Sequence, residues 1–266
     1  MKFSAVLIIA LLISVFAKAQ KSYKFDFGNG RIKKGYISVT PDTKFANEKG
    51  YGFTNGSEVT AVDRGGKSVN ADYITSTKPF YFSVNLPDGN YDVKIILGDK
   101  KGISATTVRA ECRRLFLENI RTAKGKFVTE TFTVNVRDSL IRDAKGNIAK
   151  AVRLKPREFS YLHWDNFLTI EFNDSLPKVC AIEITPNKTA TTIFLAGNST
   201  VVDQDKEPWA AWGQMIPRFF APGTAAVANY AESGEALNSF QSARRLEKIL
   251  SVMKPGDYLF IEFGHN

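Results

Sequence analysis

The sequence predicts a multidomain protein in which an N-terminal all-β sandwich is followed by an incomplete α/β domain. Three observations predict this fold class. Apolar and polar side chains alternate over many short segments of residues 22–185, a continuous apolar run begins at residue 192, and a segment of helical spacing lies between two later apolar runs. We therefore expect a leader at residues 1–19, the sandwich at residues 20–188 and the α/β domain at residues 189–266.

The first residues have the pattern of a secretory signal peptide. Lys2 is followed by an apolar run at residues 3–16, and the small residues Ala17 and Ala19 fit a cleavage site. A membrane anchor is the alternative, but a spanning helix needs about 20 apolar residues, and this run is shorter. We expect cleavage near Ala19, a secreted or periplasmic product, and no membrane anchor.

Alternation of apolar and polar residues predicts the strands of the sandwich. The alternating segments are residues 23–27, 80–86, 91–97, 132–136, 168–172 and 180–184. The Pro-Asp-Gly-Asn turn at residues 87–90 predicts that the second and third segments form a β-hairpin. Many short strands separated by turns favour a sandwich, in which each sheet buries one face.

A different pattern begins after Pro186. Residues 192–196 form a continuous apolar run, which is typical of a strand buried on both faces, and residues 225–230 form a weaker run. Residues 238–253 have helical spacing, with Pro255 and a glycine after them, and residues 258–263 form a third strand. Strand, helix and strand in this order predict parallel pairing.

The charge of the chain is uneven. Residues 20–189 contain 28 Lys and Arg against 19 Asp and Glu, whereas residues 190–266 contain 6 against 8. A basic exported domain favours an acidic polysaccharide as partner through long-range attraction, and a solvated lysine-rich surface is the alternative. The export signal and the absence of a binding motif argue against nucleic acid. The sequence neither predicts nor excludes a disulfide between Cys112 and Cys180. No His or Cys cluster has metal-ligand spacing.

Small or amide residues follow each of the three strands in the second domain. Ser199 lies in a Gly-Asn-Ser-Thr sequence after the first strand, Gly234 comes after the second, and Asn266 comes after the third. Ligands of open α/β sheets bind at the carboxyl ends of the strands. Ester hydrolysis needs N–H donors about 2.7–3.1 Å from the oxyanion of its intermediate, and these residues supply such donors. A helix N-cap is the alternative for residues 197–200.

The same residues resemble a known family. The sequence Phe-Leu-Ala-Gly-Asn-Ser-Thr at residues 194–200, Gly234, and Gly-His-Asn at residues 264–266 resemble the first three blocks of SGNH/GDSL hydrolases. Residues 203–220 most resemble rhamnogalacturonan acetylesterases, and residues 25–28 and 50–53 resemble the galactose-binding-like sandwich that precedes such enzymes. The resemblance implies a flavodoxin-like parallel sheet.

The resemblance also implies roles for single residues. Ser199 would be the nucleophile, and its backbone N–H, Gly234 and Asn266 would form the oxyanion hole. Asn198 stands where the family has Asp, and we expect this difference to alter the loop without loss of the chemistry. His265 is expected to shape the pocket, and His163 to be structural.

One block of the family is missing. The Asp-x-x-His block, which supplies the acid and base of the catalytic triad, is not found in residues 1–266. A serine without a base is a poor nucleophile near neutral pH. We therefore expect the chain to be a C-terminally truncated fragment that is inactive as written.

For the intact protein, the resemblance implies a secreted serine carbohydrate esterase. It would remove acetyl groups from pectin, foremost from rhamnogalacturonan, through an acetyl-enzyme and without a metal or organic cofactor. Another acetylated plant glycan such as xylan is an alternative substrate. The alternative class is a secreted non-catalytic carbohydrate-binding protein with a vestigial hydrolase tail, whose aromatic residues would stack on sugars. The oligomeric state stays open.

Overall fold

The computed structural model describes residues 21–264 and residue 266. The expected leader at residues 1–19 and His265 lie outside the described residues. Within the described part, no helix has the length and apolar character needed to cross a membrane. Most of the regular structure is β-strand, and the helices are short.

The described residues form seventeen strands and three α-helices. The strands are β1 Tyr23–Phe27, β2 Ile37–Val39, β3 Tyr51–Thr54, β4 Thr60–Asp63, β5 Asp72–Thr75, β6 Phe80–Asn85, β7 Gly89–Gly98, β8 Ser104–Ala110, β9 Arg114–Thr122, β10 Phe127–Val136, β11 Leu140–Arg142, β12 Ile148–Ala151, β13 Phe167–Leu176, β14 Lys178–Pro186, β15 Thr191–Gly197, β16 Ala225–Asn229 and β17 Tyr258–Glu262. The helices are α1 Trp212–Met215, α2 Leu237–Ser242 and α3 Arg245–Val252, with 3-10 turns at Pro156–Ser160 and Ile216–Phe219.

Two sheets form the predicted sandwich. One has the order β10-β7-β14-β1-β2, with β5 pairing to β14 and β4, and the other has the order β3-β6-β13-β8-β9. Their inner faces share one apolar core, to which the alternating residues of both sheets contribute. At its centre, the ring of Phe82 lies 5.0 Å from those of Phe25 and Phe27 and 5.5 Å from that of Phe53. Burying each such side chain contributes about 1.5–3 kcal/mol.

The hairpin predicted for residues 80–97 is wrong. β6 pairs with β3 and β13 in the five-stranded sheet, whereas β7 pairs with β10 and β14 in the seven-stranded sheet. The chain therefore crosses from one sheet to the other after Leu86, and the Tyr91 hydroxyl donates to the Pro87 carbonyl at 2.8 Å. Alternation reports which face of a strand is buried and not which strand is its partner. Both strands face the same core, so the pattern fits either arrangement.

The three strands of the second domain form a parallel sheet, as predicted. Its order is β16-β15-β17, with β15 in the centre. β15 is buried on both faces: Phe194 and Ala196 belong to the core cluster on one side, and Ile193 and Leu195 belong to the cluster on the other. Taken in chain order, the three strands have the arrangement 2-1-3.

The single helix expected at residues 238–253 is two helices. α2 ends at Ser242 and α3 begins at Arg245. Between them, Arg244 has φ of 61°, in the left-handed region that side chains disfavour. Phe240 and Ile249 nevertheless pack in the same core. The apolar spacing thus continues across the break, which is why the sequence indicated one helix.

The junction between the sandwich and the parallel sheet is buried and partly polar. Val152 and Trp164 precede the predicted boundary at residue 188 but pack in the same core as Tyr230. The buried Arg137 guanidinium lies 4.8 Å from the ring centroids of both Trp164 and Tyr230, an arrangement that a desolvated cation favours. The two parts are therefore packed together through residues of both.

Candidate active site at the carboxyl edge of the parallel sheet

Ser199 lies in the turn directly after β15 and is partly exposed. Asn198 holds this turn, because its Oδ1 accepts from the Thr200 N–H at 3.1 Å and from the Thr200 hydroxyl at 2.9 Å. Helix α1 begins only at Trp212, so the helix N-cap alternative for residues 197–200 is wrong. The Asn198 Nδ2 is buried and has no hydrogen-bond partner among the described residues.

Gly234 lies in the loop after β16, beside the Ser199 turn. Parallel pairing continues into this loop, since the Glu232 N–H donates to the Gly197 carbonyl at 3.2 Å. Gly234 has φ of 75°, which glycine adopts readily and other residues do not. Within the described part of the chain, the backbone N–H groups of Ser199 and Gly234 have no acceptor. Both donors are therefore available at this edge.

Asn266 reaches the same edge of the sheet. Its Nδ2 donates to the Glu235 carbonyl at 3.2 Å, one residue after Gly234. An amide nitrogen carries two hydrogens, so one hydrogen remains for a further acceptor. The structure thus brings Gly234 and Asn266 together, and it places Ser199 at the end of the central strand between their two strands.

Asp203 connects the Ser199 loop to the sandwich. It is fully buried, and its Oδ2 lies 2.9 Å from the Arg114 Nε, as an ion pair without the alignment of a hydrogen bond. The Asn229 amide donates to its Oδ1 at 2.8 Å. Burial alone would raise the pKa of Asp203, but the Arg114 charge and the His163 ring hold that pKa below its usual range. An ionised Asp203 therefore anchors the loop.

His163 is buried at this junction and is only 1% exposed. Its Nδ1 lies 3.6 Å from the Asp203 Oδ2. Burial lowers the pKa of His163 to about 4, against the pull of Asp203, so the ring is neutral at neutral pH. This position fits the structural role expected for His163.

Sequence reasoning missed two residues that hold the Ser199 turn. The Glu262 carboxylate accepts from the Thr200 hydroxyl at 2.5 Å and from the Trp212 indole N–H at 2.7 Å. On the other side, the Gln204 side chain donates to the Ser199 carbonyl at 3.2 Å. Glu262 could have been found, since it is a charged residue within an otherwise apolar strand.

The sandwich also contacts the loop that follows Ser199. Arg113 donates to the carbonyls of Gln204 and Trp209, both at 3.2 Å, and Arg109 donates to Glu207 at 3.2 Å. These contacts leave the Trp209 side chain 66% exposed. An exposed indole in the loop that follows the candidate nucleophile suits stacking on a sugar ring.

The described residues contain no group of three or more His, Cys, Asp or Glu side chains that could hold a metal ion. Cys112 and Cys180 are both buried, and neither is in a disulfide. The disulfide that the sequence left open is therefore not formed in this structure.

The first part of the chain matches a known protein family. Residues 23–148 match the family described as Beta-agarase/YXIM esterase-like, galactose-binding domain-like. Over 265 residues the chain is 30% identical to the uncharacterized esterase YxiM of Bacillus subtilis, with 95% of this chain and 62% of YxiM covered. The chain thus spans less than two thirds of the length of that relative.

The chain also matches further esterases. Over 76 residues the chain is 45% identical to the rhamnogalacturonan acetylesterase RhgT of Bacillus subtilis, with 28% of this chain and 32% of RhgT covered. The crystal structure of Bacillus subtilis YxiM matches with a TM-score of 0.47 and 28% identity, over 92% of this chain and 64% of that structure. The chain is therefore homologous to the YxiM esterase and to rhamnogalacturonan acetylesterases, with a galactose-binding-like domain in its first part.

Proposed function

We propose that the chain is part of a secreted or periplasmic carbohydrate esterase that removes acetyl groups from an acidic plant polysaccharide. Rhamnogalacturonan is the proposed substrate, and an SGNH-type α/β domain is the proposed catalytic unit. The homologues are esterases and include rhamnogalacturonan acetylesterases. The observation that carries the proposal is the presence of two unpaired backbone N–H groups and one side-chain amide at the carboxyl edge of the sheet.

In the proposed reaction, the Ser199 Oγ attacks the acetyl carbonyl carbon. The carbonyl oxygen becomes an oxyanion, which the N–H groups of Ser199 and Gly234 and the Asn266 amide stabilise. Collapse of this intermediate breaks the bond to the sugar oxygen, which leaves with a proton as a hydroxyl group. Water then attacks the acetyl-enzyme and releases acetate. Each oxyanion donor in such a site is worth about 10²–10³-fold in rate.

The Ser199 hydroxyl needs a base to accept its proton. His163 does not fit this role, because it is buried against Asp203 and has a pKa of about 4. We propose that an Asp-x-x-His block supplies the acid and base of the triad. Residues 1–266 do not contain this block, so the 266-residue chain by itself is proposed to be inactive.

The test is acetate release from acetylated rhamnogalacturonan. It is measured for the 266-residue chain and for the product of the complete reading frame that encodes it. We expect turnover from the second protein only, and Ser199→Ala should lower its kcat by about 10³-fold or more. Ser233→Ala, which removes another hydroxyl at the same edge, is the matched control and should keep full activity.

Three outcomes would contradict parts of this proposal. Turnover that survives Ser199→Ala would remove Ser199 as the nucleophile. Turnover by the 266-residue chain that Ser199→Ala abolishes would show that this chain does not need the missing block. Faster acetate release from acetylated xylan than from rhamnogalacturonan would favour the alternative substrate.

The non-catalytic alternative gains little from the aromatic residues of the sandwich. Phe25, Phe82 and Phe172 are completely buried, whereas Phe159 is 77% exposed and Tyr23 and Tyr36 are partly exposed. The rings of the core are therefore not available for stacking on sugars.

A further inference from the structure

Two adjoining cavities lie between the sandwich and the parallel sheet. The first cavity has a volume of about 300 Å³ and is lined in part by Asn135 and Thr192. The second cavity has a volume of about 760 Å³. They share the residues Asp88, Lys188 and Val252, and together we call them the junction cleft. Ligand pockets in proteins occupy about 300–1,000 Å³.

The junction cleft lies at the edge of the sheet opposite to Ser199. Thr192 is near the amino end of β15, and Asp257 precedes β17, whereas Ser199 follows the carboxyl end of β15. A strand rises about 3.3 Å per residue, so Thr192, which lines the cleft and precedes Ser199 by seven residues, lies about 20 Å from it along the strand. The junction cleft is therefore distinct from the candidate active site.

Basic side chains predominate in the junction cleft. They are Lys21, Arg137, Arg142, Lys188, Lys248 and Lys254, against the acidic Asp88 and Asp257. Lys248 lies 2.8 Å from Asp88, and Lys254 lies 2.5 Å from Asp257. Lys188 is exposed and forms no ion pair with any described residue. Lys188 thus presents to both cavities an ammonium group that no described carboxylate pairs with.

The first cavity also carries an unpaired acceptor. The Asn135 amide nitrogen donates to the Asn90 Oδ1 at 2.8 Å, and the Asn90 amide nitrogen donates to the Thr192 hydroxyl at 2.9 Å. Asn135 is only 8% exposed, and its own Oδ1 has no hydrogen-bond partner in the described part of the chain. A buried acceptor without a partner is unfavourable. A ligand hydroxyl that reached Asn135 would satisfy it.

We propose that the junction cleft is a non-catalytic binding site for an oligosaccharide that contains uronic acid. Its carboxylate contacts Lys188, and a hydroxyl of a neighbouring sugar ring donates to the Asn135 Oδ1. A carboxylate that pairs with an ammonium group forms a strong charge-assisted hydrogen bond. This site goes beyond the proposed function, since binding there requires neither an acetyl ester nor Ser199.

The proposal is tested by calorimetric titration of the 266-residue chain with trigalacturonate, which has no ester to hydrolyse. We expect saturable binding that Lys188→Glu and Asn135→Ala each weaken about fivefold or more. Lys67→Glu is the matched control, because Lys67 is an exposed lysine that lines neither cavity, and it should leave the affinity unchanged. Ser199→Ala should also bind normally, which separates this site from the esterase proposal.

Salt and ligand charge give independent readouts. Raising NaCl from about 0.05 M to 0.5 M should lower the affinity, because salt screens the exposed Lys188. The methyl-esterified trimer, which keeps the hydroxyls but loses the charge, should bind more weakly than trigalacturonate. Absence of binding, binding unaffected by Lys188→Glu, or equal weakening by Lys67→Glu would overturn the proposal. Tighter binding of a sulfated trisaccharide than of trigalacturonate would overturn its assignment to a uronate.

Discussion

Asp203→Ala would leave the Arg114 guanidinium in the junction with Glu111, 3.8 Å away, as its remaining ion partner, and burial raises the pKa of the Glu111 carboxyl. Both side chains of the pair between Arg114 and Asp203 are completely buried, with 2.9 Å between Nε and Oδ2. Removing one partner of a buried ion pair costs about 3–5 kcal/mol. Asn229 would lose one acceptor but keep its bond to the Val201 carbonyl at 2.7 Å, so this loss adds little. The expected decrease is a large part of a domain stability of about 5–15 kcal/mol.

The assay is equilibrium unfolding of the 266-residue chain in urea, followed by tryptophan fluorescence. Glu58→Ala is the matched control, because Glu58 and Lys78 are 3.1 Å apart but their side chains are 74% and 69% exposed. Removing an exposed pair costs about 1 kcal/mol or less. The double variant Arg114→Met with Asp203→Leu should recover most of the loss. A decrease for Asp203→Ala no larger than that for Glu58→Ala would refute this reasoning.

Three further predictions concern stability. His163 has a pKa of about 4 in the folded protein and about 6.5 when unfolded, so the unfolded state binds more protons and stability falls as pH drops from 6.5 to 4. In urea unfolding, the free energy of unfolding of the wild type minus that of His163→Leu should change by about 3 kcal/mol across this window. The comparison with His163→Leu is needed because burial raises the pKa of Asp72 to about 6, and this group makes the protein more stable as the pH falls. A difference in free energy of unfolding that does not change with pH would contradict the low pKa of His163. Arg244→Gly should raise the free energy of unfolding by up to about 1 kcal/mol, since φ is 61° there, and a decrease would show that the arginine side chain matters more than the backbone. Gly213→Ala should lower Tm strongly, because its Cβ would lie 2.1 Å from the Val201 carbonyl oxygen, whereas an unchanged Tm would mean that the loop moves at little cost.

The positions of the strands could be predicted from the sequence because burial follows the local side-chain pattern. Phe80, Phe82 and Val84 alternate with polar residues, and all three are completely buried. The partner of each strand could not be predicted, since it depends on the direction that the chain takes after Leu86. The break at Arg244 was missed for a similar reason: apolar spacing continues across it.

For the candidate site, the sequence predicted which strand ends carry its residues. Once three parallel strands were expected, Ser199, Gly234 and Asn266 had to lie at one edge of the sheet. The contacts that hold this edge were not predictable. Arg114 meets Asp203, and Thr200 meets Glu262, across long stretches of sequence with no repeating pattern that relates the partners.

The polar junction has a consequence for synthesis of the chain. All strands of the sandwich precede β15, so the sandwich leaves the ribosome first. Its uncovered face then presents the guanidinium groups of Arg114 and Arg137 in hydrated form, which discourages non-specific association of the nascent chain. In the folded chain Arg114 pairs with Asp203, and Arg137 donates to the Asn229 carbonyl, so both groups contact segments that are synthesised later. The sandwich therefore docks with the segment that contains Asp203 and Asn229, because that segment supplies the partners of the two guanidinium groups.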